Sequence, residues 1–216
     1  MPQLRGKTIA PLIVASDKTQ LAHFGKGQTA YPIYLTLGNI PCSIRRKPSR
    51  HACILIGYLP TTKIGHVELT KQEHCSHVGR LFHEAMSCIF APLKQAAIDG
   101  GVPIICADGK VHCVVSILAA YIADYPEQCL VSCTKYGTCP RCICRQDEMG
   151  SMDASPDRTY KWTTDILKEV KNNAKSNGAF YNQCLSQGVG SGVFVPFWHD
   201  LPFTDIHLSM TSDVLH

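Results

Sequence analysis

The chain has 216 residues, 45% of them hydrophobic and 18% charged, and a net charge of +4. That length buries a core as one domain, or as one domain with an insertion, and that composition excludes a disordered chain. The mild positive charge permits nucleic-acid binding without requiring it.

The longest nearly apolar run, Val114 to Ala123, is too short to span a membrane and carries Ser116 and Tyr121. The first residues, Met1-Pro-Gln-Leu-Arg-Gly-Lys-Thr, lack the long apolar core of a secretory signal. The twelve cysteines therefore read as reduced thiols of the cytosol or nucleus, against the rival of a secreted disulfide framework. Cys53, Cys88 and Cys106 fall in apolar segments and are expected to act as small core hydrophobes.

In chain order, Ile9 to Ala15 reads as a buried strand that delivers Ser16 and Asp17; Pro11 argues for a start at Leu12. Gly25-Lys-Gly27 is a turn signal. Tyr31 to Leu37 and Ala52 to Leu59 are two further strands, giving an antiparallel meander. Between them Arg45, Arg46, Lys47 and Arg50 form a basic knot, readable as a solvated loop or as a loop facing phosphates. Val78, Leu81, Phe82, Ala85, Met86, Ile89 and Phe90 recur at helical spacing, so a helix is expected from about His77 to Ile98, closed by Asp99-Gly-Gly101. Val102 to Ala107 is a fourth strand, Asp108-Gly109 a turn, and His112 to Ala123 a fifth segment that delivers Asp124. The order is that of an α/β (α+β) fold with a mixed sheet.

From Val131 to Gly192 the composition turns polar and glycine-rich, as in an insertion. One helix is expected there, carrying Trp162, Ile166, Leu167 and Val170 and stopped by Asn177-Gly178. Val193 to Phe197 is expected to return to the sheet, and Thr211-Ser212-Asp213 resembles a helix cap. The implied division is 1–130 core, 131–192 cysteine-containing insertion and 193–216 return to the core.

Two groups of residues suggest chemistry. Asp17 and Asp124 are carboxylates at strand exits, where Mg²⁺ finds the hard oxygen donors it prefers; the bland reading of each is a capping or turn residue. Asp108 competes as the second acid, although Asp-Gly is most often a hairpin turn, and Glu127 reads as a helix-start residue or a secondary ligand. Cys139-Pro-Arg-Cys142 has the spacing of a zinc half-site, flanked by Cys133 and Cys144, with His199 or His207 as completing ligands. Metal-free thiols and a redox pair are the alternatives.

Several phrases carry a resemblance. Ser16-Asp-Lys-Thr-Gln20, Tyr31-Pro-Ile-Tyr-Leu-Thr-Leu-Gly-Asn-Ile-Pro41, Ile44-Arg-Arg-Lys-Pro-Ser49, Gly57-Tyr-Leu-Pro60, Cys106-Ala-Asp-Gly109, Ile117 through Gln128 and Cys139-Pro-Arg-Cys142 together resemble the Plavaka-type transposases of mushroom-forming fungi. These are similar to the wider CACTA cut-and-paste transposases. The resemblance implies an RNase H-like core in which acidic residues and two divalent metals nick and join DNA at transposon ends. Asp17 matches the first acid and Asp124 the second, with Asp108 behind it; the C-x-x-C matches the cysteine insertion, and Asp213-Val-Leu-His216 the acid-x-x-His phrase after it. The third acid is expected beyond residue 216.

The expectation is thus a transposase core fragment, inactive alone, that takes Mg²⁺ or Mn²⁺ at its acids and structural Zn²⁺ at its thiols. It would meet DNA through the basic knot, admit a homo-oligomer, avoid membranes and work in the nucleus. A non-catalytic zinc-containing remnant that binds DNA or protein is the alternative, and an unrelated α+β interaction protein stands behind both.

Overall fold

The computed structural model describes residues 4–21, 28–61, 69–144, 146–148, 150, 155–190 and 192–212. The elements are β1 (Thr8–Ser16), β2 (Thr19–Gln20), β3 (Thr29–Ala30), β4 (Pro32–Leu37), α1 (Cys42–Arg45), β5 (Cys53–Tyr58), α2 (Lys71–Ile98), β6 (Val102–Ile105), β7 (Val111–Ala123), α3 (Tyr125–Val131), α4 (Tyr160–Asn173), α5 (Asn177–Ser186), α6 (Ile206–Ser209) and β8 (Met210–Ser212). Short 3-10 turns cover Pro48–Arg50 and Gln146–Glu148.

Burial alternates along the central strand of the sheet. Ala10, Leu12, Val14 and Ser16 of β1 are buried while the residues between them are not, the period-2 pattern of a strand with one covered face. The order is β5-β4-β1-β7, with β6 and β8 both on the far side of β7, at its start and its end. β1, β4 and β5 form the expected antiparallel meander. β1 and β7 run parallel, from Thr8↔Val114 to Ala15↔Ile122, with one register shift at Leu12/Ile13. A parallel pair needs a long crossover, and α2 supplies it, laying Phe82, Met86 and Phe90 into the core beside Val14, Ile33, Leu118 and Tyr121.

Helix α2 starts six residues before the expected His77 (71 against 77) because Thr70 and Glu73 form a capping box: Glu73 N donates to Thr70 Oγ1 at 3.3 Å and Thr70 N to Glu73 Oε2 at 2.9 Å. It ends at Asp99-Gly-Gly101, as expected. Gly101, at φ +118, is irreplaceable there, since a Cβ would meet Cys113 Sγ at 2.8 Å and Val114 O at 2.9 Å.

Other expectations are corrected. β1 begins at Thr8, not Leu12; Pro11 is tolerated because pairing to β4 starts only at Leu12↔Leu37. The insertion carries two helices, not one, and Asn177-Gly178 opens the second behind an N-cap at Ser176. Val193 to Phe197 forms no strand; Val193 and Phe197 pack into the core from a loop, and the chain rejoins the sheet at β8. Thr211 and Ser212 lie in that strand rather than in a helix cap. Cys53 and Cys88 are exposed and Cys106 is half-buried, so none is a core residue. The Gly25-Lys-Gly27 turn and Asp213 through His216 lie outside the described residues.

Residues after 131 share one hydrophobic cluster with the sheet: Ile166, Leu167, Val170, Phe180 and Trp198 join Val14, Leu118 and Tyr121. Among the described residues, no helix is long and apolar enough to cross a membrane.

Candidate active site

β1 and β7 leave the sheet at the same end. Their last register pair is Ala15↔Ile122; two residues further along each chain stand Asp17 and Asp124. Neighbouring strands run about 4.8 Å apart, so the parallel register brings the two acids to adjacent strand tips. Both are exposed. Asp17 Oδ2 accepts from Thr19 Oγ1 at 3.0 Å.

Asp124 has a second structural task. Its backbone stays extended (φ −67, ψ 165), and Oδ1 accepts from Glu127 N at 2.9 Å, capping α3. Pro126 lies in the first turn, where its missing N–H leaves nothing unsatisfied. The D-Y-P-E phrase is therefore a helix start fused to a strand end. The cap occupies one carboxylate oxygen, which fixes the direction of the other.

Beneath this ledge lies a buried network. Ser16, one residue before Asp17, donates through Oγ to Glu127 Oε1 and lies 2.6 Å from the Tyr121 hydroxyl. Tyr31 also hydrogen-bonds Glu127. Burial pushes the Glu127 carboxyl up to about 7; the Ser16 and Tyr31 hydrogen bonds oppose the rise, while the charges of Asp124 and Asp17 add to it. Burial, with the nearby Glu127 charge, also raises the Tyr31 and Tyr121 hydroxyls far above their ordinary range. Sequence reading offered Glu127 as a helix-start residue or a ligand; the structure turns its side chain inward, to these hydroxyls.

Asp108 stands at the other end of β7, in the β6–β7 hairpin. Its carboxylate accepts from Lys110 N at 3.0 Å and pairs with His112 Nε2 at 3.1 Å. Those two contacts, the Lys110 amide first, hold it below the usual carboxylate range. The basic knot shares that end. Asn39 donates to Ile9 O at 3.2 Å, and Arg45 Nε donates to Ile40 O at 2.9 Å. Arg46, Lys47 and Arg50 follow on α1 and the 3-10 turn. From Ile9 to Asp17 an extended chain covers about 25 Å, so the fold separates the proposed phosphate contacts from the acid ledge by that length.

The cysteines divide. Cys139 Sγ accepts from Arg141 N at 3.4 Å. Burial raises its pKa, but the Arg141 amide, hydrogen bonding with Cys142 and the Arg158 charge outweigh burial and hold the thiol below its ordinary value. Cys142 is pushed up by burial and by Cys139, against a backbone hydrogen bond from Cys144 that lowers it. Arg158, only 2% exposed, is held by Cys139 O and Gly188 O and stacks over Trp162 at 4.6 Å. Cys133 turns away from this loop. At φ +54 it enters the core, with Sγ 3.4 Å from His83 Nε2.

His207 reaches the cysteine loop as a brace. Its Nδ1 donates to Pro140 O at 2.8 Å and its Nε2 accepts from Thr163 Oγ1 at 2.8 Å, so both nitrogens are engaged; burial holds its pKa down to about 4. His199 Nδ1 pairs with Asp200 at 2.8 Å. Among the described residues no three of His, Cys, Asp and Glu are grouped as a metal site. The Cys139–Cys142 pair with Cys144 beside it has the soft donor chemistry of zinc, while Cys133, His199 and His207 are committed elsewhere. The ledge has two hard carboxylates, which is what Mg²⁺ takes from a protein when waters and substrate phosphates fill its other positions.

No curated protein matches the chain. A family model described as Plavaka transposase matches residues 2–216. The chain belongs to the Plavaka transposase family.

Proposed function

We propose that this chain carries the divalent-cation ledge of a DNA transposase and that the mixed sheet is its RNase H-like core. One observation carries the reading: Asp17 and Asp124 end neighbouring parallel strands in step. Each would offer carboxylate oxygen to Mg²⁺ or Mn²⁺. When bound, such ions polarise a phosphodiester and lower the pKa of the attacking water or hydroxyl. The residues around them do the positioning: the α3 cap fixes Asp124, Thr19 fixes Asp17, and Ser16 ties Glu127 under both. Asp108, spent in a hairpin at the far end of the sheet, has no part in this ledge.

Arg45, Arg46, Lys47 and Arg50 contact DNA phosphates in this reading, and the DNA then lies along the sheet for about 25 Å rather than at one point. Cys139 and Cys142, with Cys144 beside them, would offer the thiolates that hold Zn²⁺ and staple the insertion, and the negative charge of those thiolates, not the cation, would face the buried Arg158 guanidinium. The substrate is transposon-end DNA, and the place of action is the nucleus.

Mn²⁺ titration of the whole chain, followed by electron paramagnetic resonance, tests the ledge. Asp17→Asn and Asp124→Asn should each weaken Mn²⁺ binding by about tenfold or more, the scale of losing a directing group at a metal site. Asn caps helices as well as Asp, so Asp124→Asn keeps α3. Asp108→Asn should bind as the parent does. Equal affinity in all four proteins overturns the reading.

A further inference from the structure

We propose that Tyr125 and Tyr136 form a stacking platform for an unpaired nucleobase of the DNA strand whose phosphate lies at the acid ledge, a site that rests on the transposase reading above. Tyr125 directly follows Asp124, so the platform starts one residue from the ledge. The two rings are 5.5 Å apart at 48°. Tyr125 is pinned: its hydroxyl donates to Thr138 O at 3.0 Å and accepts from Gly137 N at 2.9 Å. The loop bearing Tyr136 is pinned as well, by Lys135 N to Gly188 O at 3.1 Å and Thr138 Oγ1 to Lys135 O at 2.6 Å. Yet Tyr136 is 68% exposed. A rigid loop that presents an aromatic face to solvent is poor core-building; it is how proteins stack bases of a single strand.

The space beside the platform suits that occupant. A cavity of about 510 Å³ runs between Tyr136, Lys135, Pro126, His74, Val78 and Tyr181. It shares His74, Val78 and Leu130 with a second cavity of about 450 Å³ that reaches Lys18 and Tyr31, next to Asp17. Together they make an apolar trough with Lys18 at one end and Lys135 at the other. Among the described residues no carboxylate lines either cavity. Lysines spaced along apolar and aromatic walls match a strand of nucleotides, with phosphates at the cations and a base on the ring. They do not match a cationic peptide. Such a site would hold a strand opened beside the point of cleavage, paying for unpairing with stacking.

The test uses the whole chain with no Mg²⁺ or Mn²⁺ added and no chelator, so that it is independent of the metal ledge and leaves the cysteine loop as it is. A short single-stranded oligonucleotide carrying one 2-aminopurine is titrated at fixed salt, reading anisotropy and 2-aminopurine fluorescence. Binding should quench the fluorophore. Tyr136→Ala should lower affinity on the order of tenfold and abolish the quench, while Tyr136→Phe retains both. An abasic site in place of the fluorophore should cost the parent protein the same factor and cost Tyr136→Ala nothing. Tyr136→Ala should leave Mn²⁺ binding intact, and Asp17→Asn should leave the quench intact. A quench and affinity that survive Tyr136→Ala overturn the platform whatever becomes of the ledge. So does an abasic strand bound as well as the parent strand, or a trough that takes an apolar peptide and no oligonucleotide.

Discussion

The two ends of the sheet carry similar sequence and opposite architecture. Both have an aspartate beside an apolar strand, Asp108 before β7 and Asp124 after it. At the Asp108 end the neighbours are thinly packed: Val102, Ile104, Ile105 and Val111 are all substantially exposed, Ile105 to 76%. At the Asp124 end the strand runs onto α3, and beneath it lie Tyr121, Val131, Phe197 and Trp198, each fully buried. A carboxylate at the first end is neutralised by its own hairpin. At the second it is held by a helix cap and backed by a packed core, and only such backing lets a charged side chain keep one position against a ligand. Strand-end position alone does not hold a carboxylate in one place; what the strand runs into does.

The largest way to break this contrast is to remove the backing. Trp198 fills the core and donates from Nε1 to Val131 O at 2.7 Å, at the last residue of α3. Trp198→Ala leaves a large cavity and an unpaired carbonyl and should cost about 3–5 kcal/mol in chemical denaturation. Native-state hydrogen exchange should show α3 amides losing most protection, with the β6–β7 hairpin barely changed. Equal loss at both ends would remove the distinction.

Acid probes the same backing more gently. Burial holds His83 and His207 down to about 4, from an ordinary value of 6.5. His83 bridges Leu130 O and Phe197 N, and His207 braces Pro140, so both support the Asp124 end. With the folded pKa depressed, the stability they hold is complete above pH about 6.5 and is lost as pH falls towards 4, by up to about 3 kcal/mol for each. Glu127 works the other way: its raised pKa makes it stabilising below about 4.5, with that contribution lost as pH rises through about 7. In EDTA the parent should therefore lose only a few kcal/mol between pH 7 and 4.5, and Glu127→Gln should steepen the loss by about 2–3 kcal/mol. Parallel curves for the two proteins would place Glu127 outside the buried network.

Much of the ledge was legible. The short, nearly continuous apolar runs that end in Asp17 and Asp124 read as buried strands, and D-Y-P-E carries the cap, proline and acid of a helix start. Thr70 and Glu73 also announced the α2 start, but the next four residues, His74-Cys-Ser-His77, hold no large apolar side chain and hid the apolar period that begins at Val78. What stayed hidden was non-local. No local pattern states that β1 and β7 are parallel neighbours, since β6 sits between α2 and β7 in sequence and pairs on the other side. Spacing grouped Cys133 with Cys139, yet one left-handed residue sends it to His83. The basic knot was plain as charge, while its end of the sheet was decided by antiparallel pairing of β4 to β1. The short β8 is too brief to carry a pattern and exists through its contact with Tyr121 to Ala123.

The smallest expected effect sharpens the contrast from the basic side. If DNA spans both ends, the knot supplies phosphate contacts whose number shows in the salt dependence of binding. Replacing Arg46, Lys47 and Arg50 by Gln removes three charges without touching the Arg45 Nε contact to Ile40 O. Each lost phosphate contact lowers the slope of log affinity against log salt by about 0.9 on duplex DNA, so the triple variant should fall by up to about 2.7. These three residues are exposed on short turns, so folding should be unaffected. Mn²⁺ binding and the base-stacking signal, both at the other end, should not move, because residues about 25 Å apart without shared partners act independently. An unchanged salt slope would place the DNA wholly at the acid end. A change in Mn²⁺ affinity would mean instead that the two ends are coupled through the strands that run between them, β1 and β7.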